Sequence, residues 1–268
     1  MSDKAILVVS FGTSYKETRE RTIGAIETAI GAAYPDWEVR RAFTSGFIIK
    51  KILREEGVVI DTVEESLRQM LADGVTEVIV QPTHMMNGGE YEKLAAQCRP
   101  LEGQFEGFCI GAPLLTAPED YDALTAAVTE STAAYDDGKT AVCFMGHGTT
   151  AESNAVYTEL QATLRWNGFD NYYIGTVEAA PSLEDLLKAV RAHSTYRRVV
   201  LQPLMVVAGD HAINDMAGEE ADSWKNTFVA AGYDVHCILE GLGENPDVQL
   251  MYVRHAGEAL KRLEGVRK

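Results

Sequence analysis

With 268 residues, 46% of them hydrophobic, the chain can bury a substantial core, either as one large domain or as two of about 130 residues. Its formal net charge of −16 argues against general nucleic-acid binding, which needs a basic face, and no run of about 18 apolar residues is present to cross a membrane. The four cysteines, Cys98, Cys109, Cys143 and Cys237, form no CxxC pair and no signal-peptide pattern follows Met1, so reduced thiols in a cytoplasmic protein are expected.

Along the chain, strand and helix patterns alternate. Ala5–Ser10 is a continuous apolar run, as a central parallel strand requires, and Tyr15–Ala33 places Ile23, Ile26 and Ile30 on one helical face. Trp37–Phe43 reads as a strand. Phe47–Glu56 and Thr62–Asp73 read as helices, the second closed by Gly74. Strand Val75–Gln81, helix Glu90–Arg99, strand Phe105–Gly111 and helix Pro118–Tyr135 follow. Asp136-Asp137-Gly138 marks the expected boundary between a first lobe, 1–137, and a second, 138–268. The second lobe reads as strand Thr140–Met145, helix Ala151–Asn167, strand Tyr172–Val177, helix Ser182–Ser194, strand Arg198–Leu204, a helix from about His211 to Ala231, strand Asp234–Leu239 and a final helix Pro246–Leu263, which is free to pack back on the first lobe. The alternation predicts an α/β protein of two similar Rossmann-like lobes, each with a parallel sheet, and an active site in the cleft between them.

The two lobes echo each other in sequence. Ala5-Ile6-Leu7-Val8-Val9-Ser10-Phe11-Gly12-Thr13 answers to Ala141-Val142-Cys143-Phe144-Met145-Gly146-His147-Gly148-Thr149, and Glu77-Val78-Ile79-Val80-Gln81-Pro82 to Arg198-Val199-Val200-Leu201-Gln202-Pro203. Only the second copy carries histidines at the loop positions: His147 and His211 stand where the first copy has Phe11 and Glu90.

Ligands of open α/β sheets bind beyond the carboxyl ends of the strands. His147, Glu178 and His211 each follow a strand of the second lobe there, and two imidazoles with a carboxylate suit a divalent ion such as Co²⁺, Fe²⁺, Ni²⁺ or Zn²⁺. Each also has an ordinary structural role open to it. A loop histidine commonly bonds only to its neighbours, Glu178 can cap the helix that follows, and the glycines around His147 can serve a tight turn. Glu90 can guide a metal or move a proton, or simply complement a helix dipole. Asp215 and Glu219 share the helical face of His211 and can orient its ring, conduct a cation or remain solvated. His84 either touches a ligand or packs, and His193, His236 and His255 receive no role.

Gly146-His147-Gly148-Thr149, Thr176-Val177-Glu178-Ala179-Ala180-Pro181 and Met205-Val206-Val207-Ala208-Gly209-Asp210-His211 resemble the anaerobic-type sirohydrochlorin cobaltochelatases of the CbiK type. Val9-Ser10-Phe11-Gly12-Thr13-Ser14 and His84-Met85-Met86-Asn87-Gly88-Gly89-Glu90-Tyr91-Glu92-Lys93 are similar to that family's first-lobe motifs, and the likeness covers essentially the whole chain. The resemblance implies a ferrochelatase-like fold and a class II chelatase that inserts Co²⁺ into sirohydrochlorin without ATP, with a homo-oligomer left open. It maps the metal ligands onto His147, Glu178 and His211, makes His147 the proton acceptor, and puts Glu90 where the family has a cleft acid.

Such a site must hold Co²⁺ loosely, strip its water and accept two pyrrole protons, tasks that neutral imidazole suits better than a thiolate cluster. The substrate's carboxylates need local donors in so acidic a chain. Candidates are Ser10, Thr13, Ser14 and the nearby backbone amides, with Arg40, Arg41, Lys50, Lys51 and Arg54; only some of these are expected to reach the ligand. Phe11 and His84 join the candidate substrate contacts. The alternatives are the same chemistry with Fe²⁺ or Ni²⁺, a non-catalytic tetrapyrrole or metal carrier, and a solute-binding protein, which the missing signal peptide disfavours.

Overall fold

The computed structural model describes residues 3–265. In chain order the first elements are β1 (Lys4–Ser10), α1 (Lys16–Arg19), a π-helical turn (Glu20–Gly24), α2 (Ala25–Ala33), β2 (Glu38–Phe43), α3 (Gly46–Glu56), α4 (Val63–Ala72), β3 (Glu77–Pro82), α5 (Gly89–Glu102) and β4 (Gly107–Ile110). There follow α6 (Pro118–Ser131), β5 (Thr140–Gly146), α7 (Ala155–Trp166), β6 (Tyr172–Thr176), α8 (Leu183–Arg191), β7 (Arg198–Pro203), a second π-helical turn (His211–Met216), α9 (Trp224–Ala230), β8 (Asp234–Cys237) and α10 (Pro246–Gly265).

The chain forms two compact units, Met1–Thr116 with Val248–Lys268, and Ala117–Asp247. Each holds a four-stranded, wholly parallel sheet, in the order β2-β1-β3-β4 in the first and β6-β5-β7-β8 in the second. The repeated motifs are therefore a repeated topology. In both units the most apolar strand is central: Ala5–Val9 of β1 and every residue of β5 are buried, as a strand covered on both faces must be. Leu7, Val9, Val78 and Val80 pack with Leu67 of α4 and Leu94 of α5, and Cys143, Met145 and Leu201 pack with Leu186 of α8 and Phe228 of α9. Each such fully buried side chain contributes on the order of 2 kcal/mol relative to exposure.

Helix starts follow local chemistry. Ser45 accepts the Ile48 N–H to cap α3, and reciprocal capping boxes open α4 (Thr62 with Glu65) and α8 (Ser182 with Asp185).

Two features depart from the sequence expectation. The compact units divide at Thr116/Ala117 rather than at residue 137, because α6 belongs with the second unit: Thr132, just past its end, lies with Oγ1 3.0 Å from the buried Tyr172 hydroxyl, and Asn245 donates to the Ala127 carbonyl at 3.1 Å. The last helix, α10, packs back on the first unit, as the sequence left open: the Tyr252 hydroxyl donates to the Thr83 carbonyl at 2.8 Å and Tyr34 donates to the Val253 carbonyl at 2.9 Å. The expected helix from His211 to Ala231 is broken into a π-helical turn and α9, which Ser223 caps anew through the Asn226 N–H. A smaller departure is that α5 continues through Pro100 to Glu102 instead of stopping at Arg99.

Candidate metal centre

Three loops of the second unit leave the carboxyl edge of its sheet side by side. Beyond β5 and β6 the parallel ladder continues for two more bonds, Val177 N–H to Gly146 O (3.0 Å) and Glu178 N–H to His147 O (2.9 Å), which sets His147 and Glu178 next to each other. Gly148 turns the chain at φ +83°, in the left-handed region open to glycine. On the other side of β5, Leu204 N–H bonds Met145 O at 2.8 Å, and the loop beyond it is held by Leu242 N–H to Met205 O and Gly243 N–H to Val206 O. That loop delivers His211 to the first position of a π-helical turn, a form often found at functional sites.

One donor atom from each of His147, Glu178 and His211 lies within 4.8 Å of the others. No other trio of His, Cys, Asp or Glu side chains among the described residues does so. The imidazole rings meet edge to face, centroids 4.9 Å apart, and His147 Nδ1 is 3.7 Å from Glu178 Oε2. His147 and Glu178 are exposed and His211 partly so, which leaves coordination positions open on the solvent side.

The neighbours of each ring assign its free nitrogen. His147 Nδ1 is 2.9 Å from the Gly148 carbonyl, which can only accept, so Nδ1 carries the proton and Nε2 keeps the lone pair. His211 Nδ1 is 2.5 Å from Asp215 Oδ2, and the carboxylate acts in the same way on that ring. Glu219, the other acid on the expected helical face, bonds Lys225 Nζ at 2.9 Å instead.

Supporting groups that spacing did not reveal tie the loops together. Asn154 accepts the Thr149 N–H at 3.0 Å and donates to the Ala180 carbonyl at 2.7 Å, joining the loop of His147 to that of Glu178. The Tyr157 hydroxyl accepts the Gly148 N–H, and Thr176 Oγ1 donates to the Ala179 carbonyl. Nothing in the periodicity of Asn154 or Tyr157 separates them from ordinary helix residues.

The first unit repeats this ladder with different side chains. Thr44 N–H to Ser10 O, Ser45 N–H to Phe11 O and Thr83 N–H to Val9 O match the three bonds above. Phe11 therefore stands at the position of His147 and Ser45 at that of Glu178, while Glu90 matches His211 in the motif. Glu90 accepts from Lys93 Nζ at 2.5 Å and Thr44 Oγ1 at 3.4 Å. Phe11 is 51% exposed. Ser10 and Thr13 are buried and their hydroxyl oxygens already accept, from Thr83 Oγ1 and the Tyr15 N–H respectively. Both ring nitrogens of His84 are buried without a hydrogen-bond partner among the described residues, and burial pulls its pKa down to about 4 against the opposing carboxylate of Glu90. Arg40 is taken up by Glu38 and Asp73, and Arg41 by Glu27 and Glu20, so neither is left to serve an incoming carboxylate.

Comparison with known proteins agrees with the fold and with the motifs. The sequence model of cobalt chelatase (CbiK) matches residues 4–261. A sirohydrochlorin cobaltochelatase of Salmonella typhimurium is 41% identical over 257 residues, 96% of each chain, and the sirohydrochlorin cobaltochelatase CbiKC of Nitratidesulfovibrio vulgaris is 30% identical over 98% of this chain and 93% of its own. Among solved structures, SirB from Bacillus subtilis with Fe³⁺ superposes with a TM-score of 0.69 at 14% identity, covering 98% of this chain and 97% of that one. CbiX, the terminal enzyme of sirohaem biosynthesis in denitrifying bacteria, gives 0.56 at 17% identity over 96% and 99%. At these identities the two structures speak for the fold alone.

Proposed function

The chain belongs to the cobalt chelatase (CbiK) family, and from that premise we propose how its geometry performs the reaction. The enzyme inserts Co²⁺ into sirohydrochlorin. One metal ion replaces two pyrrole N–H protons, so the site must deliver a dication and take up two protons. His147, Glu178 and His211 hold the incoming Co²⁺ as substrate. Their convergence within 4.8 Å is the observation that carries this reading.

The donor set fits a metal in transit. Two neutral imidazoles and one carboxylate bind a borderline dication moderately, whereas thiolates would retain it. All three side chains are accessible, so water can leave and ring nitrogens can replace it. The lone pair on His147 Nε2 makes that ring the base for a pyrrole proton as the metal moves on. Glu90, partly exposed at the matching edge of the first unit and bonded to Lys93 Nζ, is the second proton acceptor in this proposal. Phe11 and His84 contact the macrocycle, while Ser10 and Thr13 shape the loop that presents Phe11. No nucleotide enters the scheme, since metal–nitrogen bond formation and proton release supply the driving force.

The four cysteines are all free, which supports the placement of the reaction in a reducing cytoplasm. The donors would also accept Fe²⁺ or Ni²⁺, so supply rather than ligand type selects the metal. The test is anaerobic incubation with sirohydrochlorin and Co²⁺, followed by absorption. Conversion to the cobalt complex is expected with catalytic amounts of protein; binding without conversion would make the protein a carrier.

A further inference from the structure

The carboxylates of the substrate require a cationic partner, and the sequence offered five. The structure engages four of them: Arg40 and Arg41 lie in carboxylate clusters, Arg54 pairs with Glu55, and the ammonium of Lys51 sits 5.8 Å from the centre of the Tyr15 ring. Lys50 is exposed and has no ion pair or hydrogen bond among the described residues.

Lys50 has an aromatic neighbour on its helix. Phe47 and Lys50 are three residues apart in α3 and so share a face. Phe47 is 74% exposed. The helix starts directly after Ser45, whose N–H bonds the Phe11 carbonyl, so its first turn flanks Phe11 at the carboxyl edge of the first unit's sheet. No acid lies in that first turn, unlike those of α4, α5, α6 and α8.

Resting on sirohydrochlorin as substrate, we propose that the Phe47–Lys50 face of α3 binds the macrocycle, with Phe47 against its apolar disc and Lys50 paired with a peripheral carboxylate. An amphipathic disc rimmed with negative charge is the occupant that this pairing of an exposed ring with a free ammonium complements. Single exposed aromatics are common on protein surfaces; the combination with the one uncommitted cation of the five, beside Phe11, gives this one a ligand.

The test measures sirohydrochlorin affinity by fluorescence titration without metal, and KM and kcat for cobalt insertion, in wild type and in Lys50→Glu, Lys50→Arg and Phe47→Ala. Both positions are exposed, so the variants fold. Lys50→Glu is expected to raise Kd and KM about tenfold, the loss of one charge-assisted contact, with kcat changed less than about twofold. Lys50→Arg should stay near wild type, and Phe47→Ala should raise KM about fivefold. Unchanged Kd and KM in Lys50→Glu and Phe47→Ala would overturn the proposal. So would a change in sedimentation with KM unaltered, which would assign the face to a second copy of the chain. Failure of the wild type to bind sirohydrochlorin would instead overturn the substrate reading beneath it.

Discussion

The imidazole Nδ1 of His211 lies 2.5 Å from the Oδ2 of Asp215, four residues on. A carboxylate behind a metal-binding histidine fixes the ring and its tautomer and raises ligand basicity. Asp215→Ala should therefore weaken Co²⁺ binding about 10- to 100-fold, as read by competition titration. Asp215→Asn keeps an acceptor and should fall between. Glu219→Ala, whose carboxylate serves Lys225, should leave the affinity unchanged.

Gly148 supplies a second test. A Cβ there would come 2.7 Å from Thr176 Oγ1 and 3.0 Å from the Ala179 backbone nitrogen, at φ +83°. Gly168 has a similar φ of +86° but open space around it. Gly148→Ala and Gly168→Ala should both lose stability in urea unfolding, about 1–3 kcal/mol for the former, where overpacking adds to backbone strain. Only Gly148→Ala should also lose Co²⁺ affinity, because it displaces the loop of Glu178. Equal metal binding in both variants would separate that turn from the site.

The parts of this arrangement that were readable in the sequence follow from topology. Parallel strands all end on one edge, so an apolar run followed by a polar loop locates His147, Glu178 and His211 without knowledge of their contacts. What could not be read depends on side-chain partners across the fold. Arg40 and Arg41 look like substrate donors until Asp73 and Glu27 are seen to hold them. Asn154 bridges two loops from a position with no distinguishing pattern. The break after Met216 was hidden by residues that read as helix on both sides, where a fresh cap at Ser223 restarts the chain as α9. That α10 can pack on the first lobe was readable, but not the bonds that hold it there, from Tyr34 and Tyr252, each to a carbonyl far away in sequence.

His84 makes acid stability a readout. Burial lowers its folded pKa to about 4, whereas an unfolded histidine titrates near 6.5. Between those values the unfolded chain binds the extra proton, so this contribution to stability is present above about pH 6.5 and is lost progressively as the pH falls toward 4. The loss between pH 7 and pH 5 should be about 2 kcal/mol. His84→Leu removes it. Urea unfolding at the two pH values should show a drop smaller by that amount in the variant; an identical drop would mean that His84 is protonated in the folded protein.

The central claim is that His147 and His211 carry metal insertion. The direct measurement is the anaerobic rate of Co²⁺ insertion into sirohydrochlorin by wild type, His147→Ala and His211→Ala, with circular dichroism confirming that all three are folded. Loss of a positioned base or ligand predicts rates lower by at least about 100-fold in both variants. Folded variants that insert cobalt at the wild-type rate would contradict the account.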